Sequence, residues 1–270
     1  MKLKINVQPA LLITALLGLI ASLAISCSTC CQKSSKEPNS LTSHEQAAGW
    51  RLLWDGKTTD GWRSAKGDYF PNKSWVIQDG VLTVVATGNA EAQDGGDIIT
   101  RERYSNFEFT ADFKMTHGCN SGIKIFVQPN LSPIDKVTGK PAAVGSAIGM
   151  EFQVLDDERH PDAKLGRNGD RKLGSFYDVI PAPETKKVMP MGEWNHARIL
   201  SQGRHVEFWL NGEKTVEFER GSSAFREAVA LSKFKDIPGF GEWADGHVLL
   251  QEHGSAVSFQ NIKIRELSAN

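Results

Sequence analysis

This chain has almost no cysteine where a fold could use it. Three of its four cysteines, Cys27, Cys30 and Cys31, lie near the N-terminus, and only Cys119 lies farther along. No disulfide framework can brace the folded part, and no Cys/His cluster offers a zinc site. Cys119 is expected to be a small, inert, buried side chain. As a nucleophile it would need a histidine beside it, and His117 is its one histidine neighbour in sequence. Charge of one sign is also missing. Lys and Arg number 31 against 32 Asp and Glu, with no basic block and no interleaving of aromatic and basic residues, so nucleic acid is excluded as the expected partner. Helical periodicity is scarce after Gly49, which excludes a helical bundle or a βαβ fold. Tryptophan is plentiful: seven residues suit either a large β core or platforms for sugar rings.

The N-terminus carries the one long apolar run. Lys2 and Lys4 precede residues 10–25 (ALLITALLGLIASLAI), and small residues lead up to Cys27. This is the layout of a signal peptide, which is set aside before the fold is considered. The run is near the lower limit of a bilayer span, about 17 to 25 residues, so an uncleaved membrane anchor is the competing reading. Ala24-Ile25-Ser26-Cys27 matches a bacterial lipobox, in which the cysteine is acylated and becomes the mature N-terminus. Lipidation at Cys27 is therefore expected, with export and lipid anchoring to the cell envelope on its periplasmic side. The expected organisation is a signal peptide over 1–26, a polar, Ser-rich flexible tether over 27–48, and one domain over 49–267;. At about 220 residues that last segment can bury one sizeable core.

Alternation is frequent within it. Ser74–Gln78 and Val81–Val85 flank Asp79-Gly80, the strongest short hairpin signal;. Phe107, Phe109, Ala111, Phe113 and Met115 share one face of a strand; Ile123, Ile125 and Val127 alternate with Lys124, Phe126 and Gln128. Ile148, Met150, Phe152 and Val154 alternate with Gly149, Glu151, Gln153 and Leu155. Val206, Phe208 and Leu210 lead into Asn211-Gly212, a second hairpin turn, and residues 248–253 and 257–265 end the domain as strands. Many short strands joined by turns indicate an all-β sandwich or barrel. One short helix fits residues 224–235, and a long irregular stretch over 155–192 is of the kind that carries function;.

In the strand Ile148–Leu155, Glu151 and Gln153 project from the face opposite the apolar set;. Glu151 is either an ordinary solvated residue there or part of a sugar site. A conventional glycosidase needs two carboxylates about 5 to 9.5 Å apart. The second position is Gln153, and Asp156 and Asp157 already begin the loop, so acid-pair glycosidase chemistry is disfavoured.

An ordered set of short motifs resembles a known family. It runs through Leu53-Trp54-Asp55-Gly56-Lys57, Gly61-Trp62, Trp75-Val76-Ile77-Gln78-Asp79-Gly80 and Gly96-Asp97-Ile98-Ile99-Thr100. It continues with Tyr104-Ser105-Asn106-Phe107-Glu108-Phe109, Asn120-Ser121-Gly122-Ile123 and Glu151-Phe152-Gln153-Val154-Leu155-Asp156-Asp157. Gly192-Glu193-Trp194-Asn195, Asn211-Gly212, Leu250-Gln251-Glu252-His253-Gly254 and Phe259-Gln260-Asn261-Ile262 complete it. In this order the motifs resemble the 3-keto-disaccharide hydrolase domain family, over nearly the whole segment after residue 49. Gln260 departs from the Arg usual there. The resemblance implies a concanavalin A-like jelly-roll sandwich of two antiparallel sheets. It also implies action, as lyase or hydrolase, on glycosides whose sugar carbon 3 is already a ketone, and hence coupling to a sugar 3-dehydrogenase.

A 3-keto sugar changes the chemical requirement. The ketone acidifies the carbon-2 proton, so one base can remove it and the oxygen on carbon 1 can leave by elimination. The site then needs a base tuned near neutrality, donors for the enolate oxygen and an acid for the leaving group. Imidazole suits the base, with an unperturbed pKa of about 6.5. His253, two residues beyond Gln251, and His160, in the long loop, are the expected catalytic partners of Glu151. Gln153, Asn120, Lys124, Gln251, Asp157, Tyr177 and Trp194 are expected to bind substrate, although Tyr177 and Trp194 also suit packing roles. Asp156, Asp157 and Glu158 could present oxygens to a calcium-like cation, but their spacing matches no EF-hand;. The rival function is a non-catalytic carbohydrate-binding module on the same fold.

Overall fold

Thirteen strands among the described residues form two antiparallel sheets, as the alternating sequence requires. The computed structural model describes Met1 and residues 37–88, 96–133, 137–140, 142 and 145–268. The expected signal peptide after Met1, the lipidation site Cys27 and the tether before residue 37 lie outside the described residues.

The larger sheet has the order β11 (Glu213–Glu219), β10 (His205–Leu210), β9 (Trp194–Gln202), β6 (Phe107–Met115), β13 (Val257–Glu266), β4 (Val81–Val84) and β3 (Trp75–Gln78); β1 (Arg51–Leu52) also pairs with β13. The smaller sheet has the order β2 (Trp62–Ser64), β5 (Ile98–Thr100), β12 (His247–Leu250), β7 (Asn120–Gln128) and β8 (Ile148–Leu155). Their inner faces meet through aromatic rings: Phe152 of β8 packs 6.3 Å from Phe113 of β6 and 5.7 Å from Phe208 of β10, edge to face;. The expected jelly-roll sandwich is present. Both expected hairpin turns are formed by residues with positive φ, Asp79 (51°) with Gly80 (72°) and Asn211 (51°) with Gly212 (85°), the left-handed pair that matches strand twist. The expected helix is shorter than its sequence window and spans Ser223–Ala230 (α2), capped by the Ser222 side chain;.

Strand β7 departs from simple alternation. Phe126 has φ 54° and the register with β8 shifts between Ile125 and Gln128, so a bulge interrupts the strand. Phe126 turns into the core between the sheets. Val127 turns to the opposite face, where it clusters with Ile99, Ala147 and Leu249. The expectation that Val127 shares a face with Ile123 and Ile125 is thus corrected. Gly246 makes the bulge feasible, because a Cβ there would overlap the Phe126 backbone.

The end of the expected tether is attached to the fold. Asn39 and Asn261 exchange backbone-to-side-chain hydrogen bonds of 2.7 and 2.8 Å, and Asn39 Nδ2 donates to the Gly80 carbonyl at 2.8 Å. Thr42 and Glu45 form a capping box on α1 (Ser43–Ala47);. Glu45 then reaches Lys263 of β13 at 2.9 Å. Polar side chains supply the attachment, which is why a search for an apolar face reads this segment as free.

Candidate active site

The outer face of the smaller sheet carries polar residues brought together by register. Lys124 of β7 stands opposite Glu151 of β8 and Leu249 of β12, and Gly122 stands opposite Gln153. Gln251, just past β12, donates its N–H to the Gly122 carbonyl at 2.9 Å, which sets it beside Gly122 and Gln153. Period-two geometry therefore places Lys124, Glu151, Gln153 and Gln251 on one side. Gly122 leaves the space that the Glu151 side chain fills, since a Cβ at that position would overlap the carboxylate.

This face is roofed. Strand β8 is the edge of its sheet, and the long loop runs along it like a further strand: Gln153 N donates to Ser175 O (3.1 Å), Gly174 N to Gln153 O (2.9 Å) and Tyr177 N to Glu151 O (3.0 Å). These bonds satisfy the edge and bury the residues beneath, so that Glu151 is 4% and Lys124 6% exposed. The solvated role for Glu151 is thereby excluded. A cavity of about 240 Å³ remains, lined by Asn120, Lys124, Glu151, Gln153, Gln251 and His253, with Tyr177, Lys233, Phe234 and Ile237 also on its walls.

Within the cavity Lys124 Nζ lies 3.5 Å from Glu151 Oε2 and donates to Ser146 Oγ and to the Ala147 carbonyl (3.3 Å). Ser146 in turn donates to Asp97, whose two oxygens also accept from the backbone N–H groups of Ala147 (3.2 Å) and Glu252 (3.0 Å). Lys124 is thus a fixed, buried cation with an ionic partner and a hydrogen-bonded support, the condition under which a buried charge is tolerated. At the other end, the Asn120 amide lies 3.2 Å from His253 Nε2 and 3.2 Å from the Gln153 amide. His253 follows the end of β12 at Leu250 rather than lying within a strand, yet it lines the same cavity as Gln251.

His160 caps a short 3-10 turn (Pro161–Lys164), its Nδ1 accepting from Asp162 N at 3.2 Å. Its ring meets that of His253 edge-on at 6.1 Å. Burial and the neighbouring His253 push its pKa below the ordinary imidazole value, which keeps it neutral with the proton on Nε2. Its one neutral lone pair is already engaged, so His160 buttresses His253 and is not itself among the cavity-lining residues. Tyr177 donates its hydroxyl to Asp162 Oδ2 at 2.8 Å, and Arg171 Nη1 donates to Asp162 Oδ1 at 2.8 Å. Burial, the Asp162 hydrogen bond and the Glu151 charge raise the Tyr177 pKa, so this phenol keeps its proton.

Two expected substrate-binding residues lie elsewhere. Asp157 accepts from Leu173 N (2.7 Å) and pairs with Lys186 (3.0 Å) in a separate cleft. Trp194 is half-buried on the outer face of the larger sheet, beneath Lys114 Nζ at 4.8 Å. Within the acidic run, Asp156 accepts from the backbone N–H groups of Gly118, Glu158 and Arg159, which stabilise the loop start. Cys119 is buried and unpaired, its thiol pushed up to about 11 by burial, and is inert as expected. Lys233, Phe234, Ile237, Ser146 and Asp97 were not foreseen. Only Asp97, within the family-like Gly96-Asp97-Ile98, left any trace in sequence.

Comparison with known proteins agrees with the fold. A profile of the 3-keto-alpha-glucoside-1,2-lyase-like domain matches residues 49–265. A 3-keto-disaccharide hydrolase of Bacteroides thetaiotaomicron is 35% identical over 244 residues, spanning 86% of this chain and 83% of that protein. A crystal structure from Parabacteroides distasonis, provisionally described as a glycosyl hydrolase, is 32% identical with a TM-score of 0.70, covering 86% of this chain and 100% of that one. A second such structure from the same organism is 30% identical with a TM-score of 0.57, covering 81% and 99%.

Proposed function

This chain belongs to the family of 3-keto-alpha-glucoside-1,2-lyase-like domains, and from that premise we propose that it cleaves the glycosidic bond of 3-keto-glycosides by elimination across carbons 1 and 2. One observation carries the proposal: among the described residues lining the cavity, Glu151 is the single carboxylate, and it faces a buried lysine while a histidine stands nearby. Two carboxylates flanking a bond would serve ordinary hydrolysis; one base and one fixed cation serve enolisation.

His253 is the base. Its imidazole takes the carbon-2 proton, and the electrons of that C–H bond pass towards the ketone as an enolate. The Lys124 ammonium, itself buried, stabilises the negative oxygen electrostatically;. The enolate electrons then form the C1=C2 double bond as the C1–O bond breaks, and the imidazolium returns its proton to the departing oxygen. The products are an unsaturated 2-hydroxy-3-keto sugar and the free aglycone alcohol. Addition of water across C1=C2 in a second step converts the sugar to 3-keto-glucose, making the net reaction a hydrolysis. Glu151 balances Lys124 and accepts from a sugar hydroxyl, and Asn120, Gln153 and Gln251 offer the remaining polar contacts.

The test is incubation of the protein with a 3-keto-glucoside while released aglycone is followed. An enol-type double bond in the product identifies the lyase, and 3-keto-glucose the net hydrolase. Release from an unoxidised glycoside with none from the 3-keto substrate overturns the proposal, and binding without turnover of either favours a carbohydrate-binding module. The same proposal places the protein after a sugar 3-dehydrogenase, lipid-anchored through Cys27 on the periplasmic side of the envelope. Labelling by a fatty-acid probe, lost in Cys27→Ala, tests the anchor.

A further inference from the structure

Between Glu151 and His253 lie two side-chain amides in series. The Gln153 amide reaches Glu151 Oε1 at 3.2 Å on one side and the Asn120 amide at 3.2 Å on the other, and Asn120 reaches His253 Nε2 at 3.2 Å. A half turn of an amide exchanges its oxygen and nitrogen, so two opposite directions of donation share one set of atomic positions. We propose that Asn120 and Gln153 form a paired relay that ties the tautomer of His253 to the ionisation of Glu151.

The logic follows from which atoms can donate. A carboxylate only accepts. With Glu151 ionised, Gln153 must turn its nitrogen towards Oε1, and the same nitrogen then also donates to the Ser121 carbonyl at 3.1 Å. The Gln153 oxygen now faces Asn120 and requires the Asn120 nitrogen. That turns the Asn120 oxygen to His253 Nε2, which must carry the proton. The neutral ring holds its lone pair on Nδ1. With Glu151 protonated the chain can run the other way, against the Ser121 carbonyl, which the Gln153 oxygen then faces at 3.1 Å: the carboxyl O–H donates to the Gln153 oxygen, Gln153 Nε2 donates to Asn120 Oδ1, and Asn120 Nδ2 donates to His253 Nε2. The proton of the neutral ring then sits on Nδ1. No proton crosses the amides; they transmit direction alone.

Burial makes the relay selective. Asn120 and Gln153 are 5% and 1% exposed, and a mismatched donor or acceptor at such depth goes unsatisfied by water. The charged and titratable groups facing the ends are Lys124 from β7 and Tyr177 from the long loop at Glu151, and His160 at His253, with Lys233 on the cavity wall. Asn120 and Gln153 are positioning residues on this view, acting through His253. Use of the relay in turnover rests on the elimination proposed above; the relay itself does not.

The experiment is nitrogen NMR of the full chain with 15N-labelled histidine, the His253 signals being assigned by their loss in His253→Gln. At neutral pH the wild type is expected in the Nε2–H form. Gln153→Met, close in volume and without donor or acceptor, is expected to lower the Nε2–H to Nδ1–H ratio at least about fivefold, and Glu151→Gln to do the same. Asn120→Asp supplies an oxygen to Nε2 whatever its neighbour does, so it restores the Nε2–H form in the Glu151→Gln background. A residue that only shapes the cavity would change KM and leave the tautomer alone. Ratios within twofold of wild type in both Gln153→Met and Glu151→Gln overturn the relay, as does a failure of Asn120→Asp to restore the ratio. Because no substrate is present, a negative result here is separate from absence of turnover on a 3-keto-glucoside.

Discussion

On the outer face of the larger sheet, Glu207 meets Lys214 at 3.2 Å and the Trp209 indole at 2.8 Å, with Arg198 5.0 Å over the Trp209 ring. On the outer face of the smaller sheet, Lys124 meets Glu151 at 3.5 Å. The residue types are alike and so is the strand geometry. The difference is cover: the Lys214 side chain is 35% exposed and that of Lys124 7%. Water screens the first set into a solvated ladder, whereas the second keeps its full field. What sets this face apart is the loop laid along its sheet edge more than any unusual side chain.

Breaking the covered face should therefore cost far more than breaking the open one. His253→Ala is expected to lower turnover of a 3-keto-glucoside about 10²- to 10⁴-fold with the fold retained by circular dichroism, whereas His205→Ala on the open face leaves turnover at the wild-type rate. Lys124→Met strands a buried carboxylate and is expected to destabilise by about 3–5 kcal/mol in denaturant unfolding. The corresponding Lys214→Met should leave the unfolding midpoint where it was. Equal midpoint shifts for the two lysines would remove the distinction between the faces. Gly122→Ala forces the Glu151 carboxylate aside and should reduce turnover by about 10- to 100-fold, with a modest change in stability.

The smallest effect concerns pH and has opposite signs on the two sheets. Burial lowers the pKa of His247, on the smaller sheet, from 6.5. Its contribution to stability is complete above that value and is lost as pH falls below it. The hydrogen bond to Glu219 raises the pKa of His205, on the larger sheet, from 6.5. Its contribution is complete below that value and is lost as pH rises through the folded-state pKa. Urea midpoints over about pH 5 to 8 should show His247→Asn flattening the acid side and His205→Asn the alkaline side.

Much of this was legible in sequence because a strand writes its two faces with period two. Glu151 and Gln153 could be placed together, and Lys124 on a polar face, from alternation alone; the hairpins at Asp79-Gly80 and Asn211-Gly212 followed from the need for positive φ. Cover left no such trace. Nothing periodic announces that residues 174–177 bond to the edge of β8, or that Lys233, Phe234 and Ile237 line the cavity from beyond α2. Asp157 and Trp194 were misplaced for a related reason: one is near Glu151 in sequence and the other is chemically apt, but neither property specifies position in space.

The bulge at Phe126 has a consequence for how this site can vary. It acts as a frame shift within one strand, so that residues before it obey one parity and Val127 the other. On the cavity-side face of β7 Lys124 is therefore written in one frame and Val127 in the other, and the oily cluster of Val127 with Ile99, Ala147 and Leu249 begins at Leu249, the cross-strand partner of Lys124. Substitutions that retune Val127 need not disturb the alternation that holds Lys124. Loss of a single residue at Phe126, by contrast, would merge the frames: Val127 would follow Ile125 in plain alternation and keep its outer face, while the space between the sheets would lose the Phe126 ring.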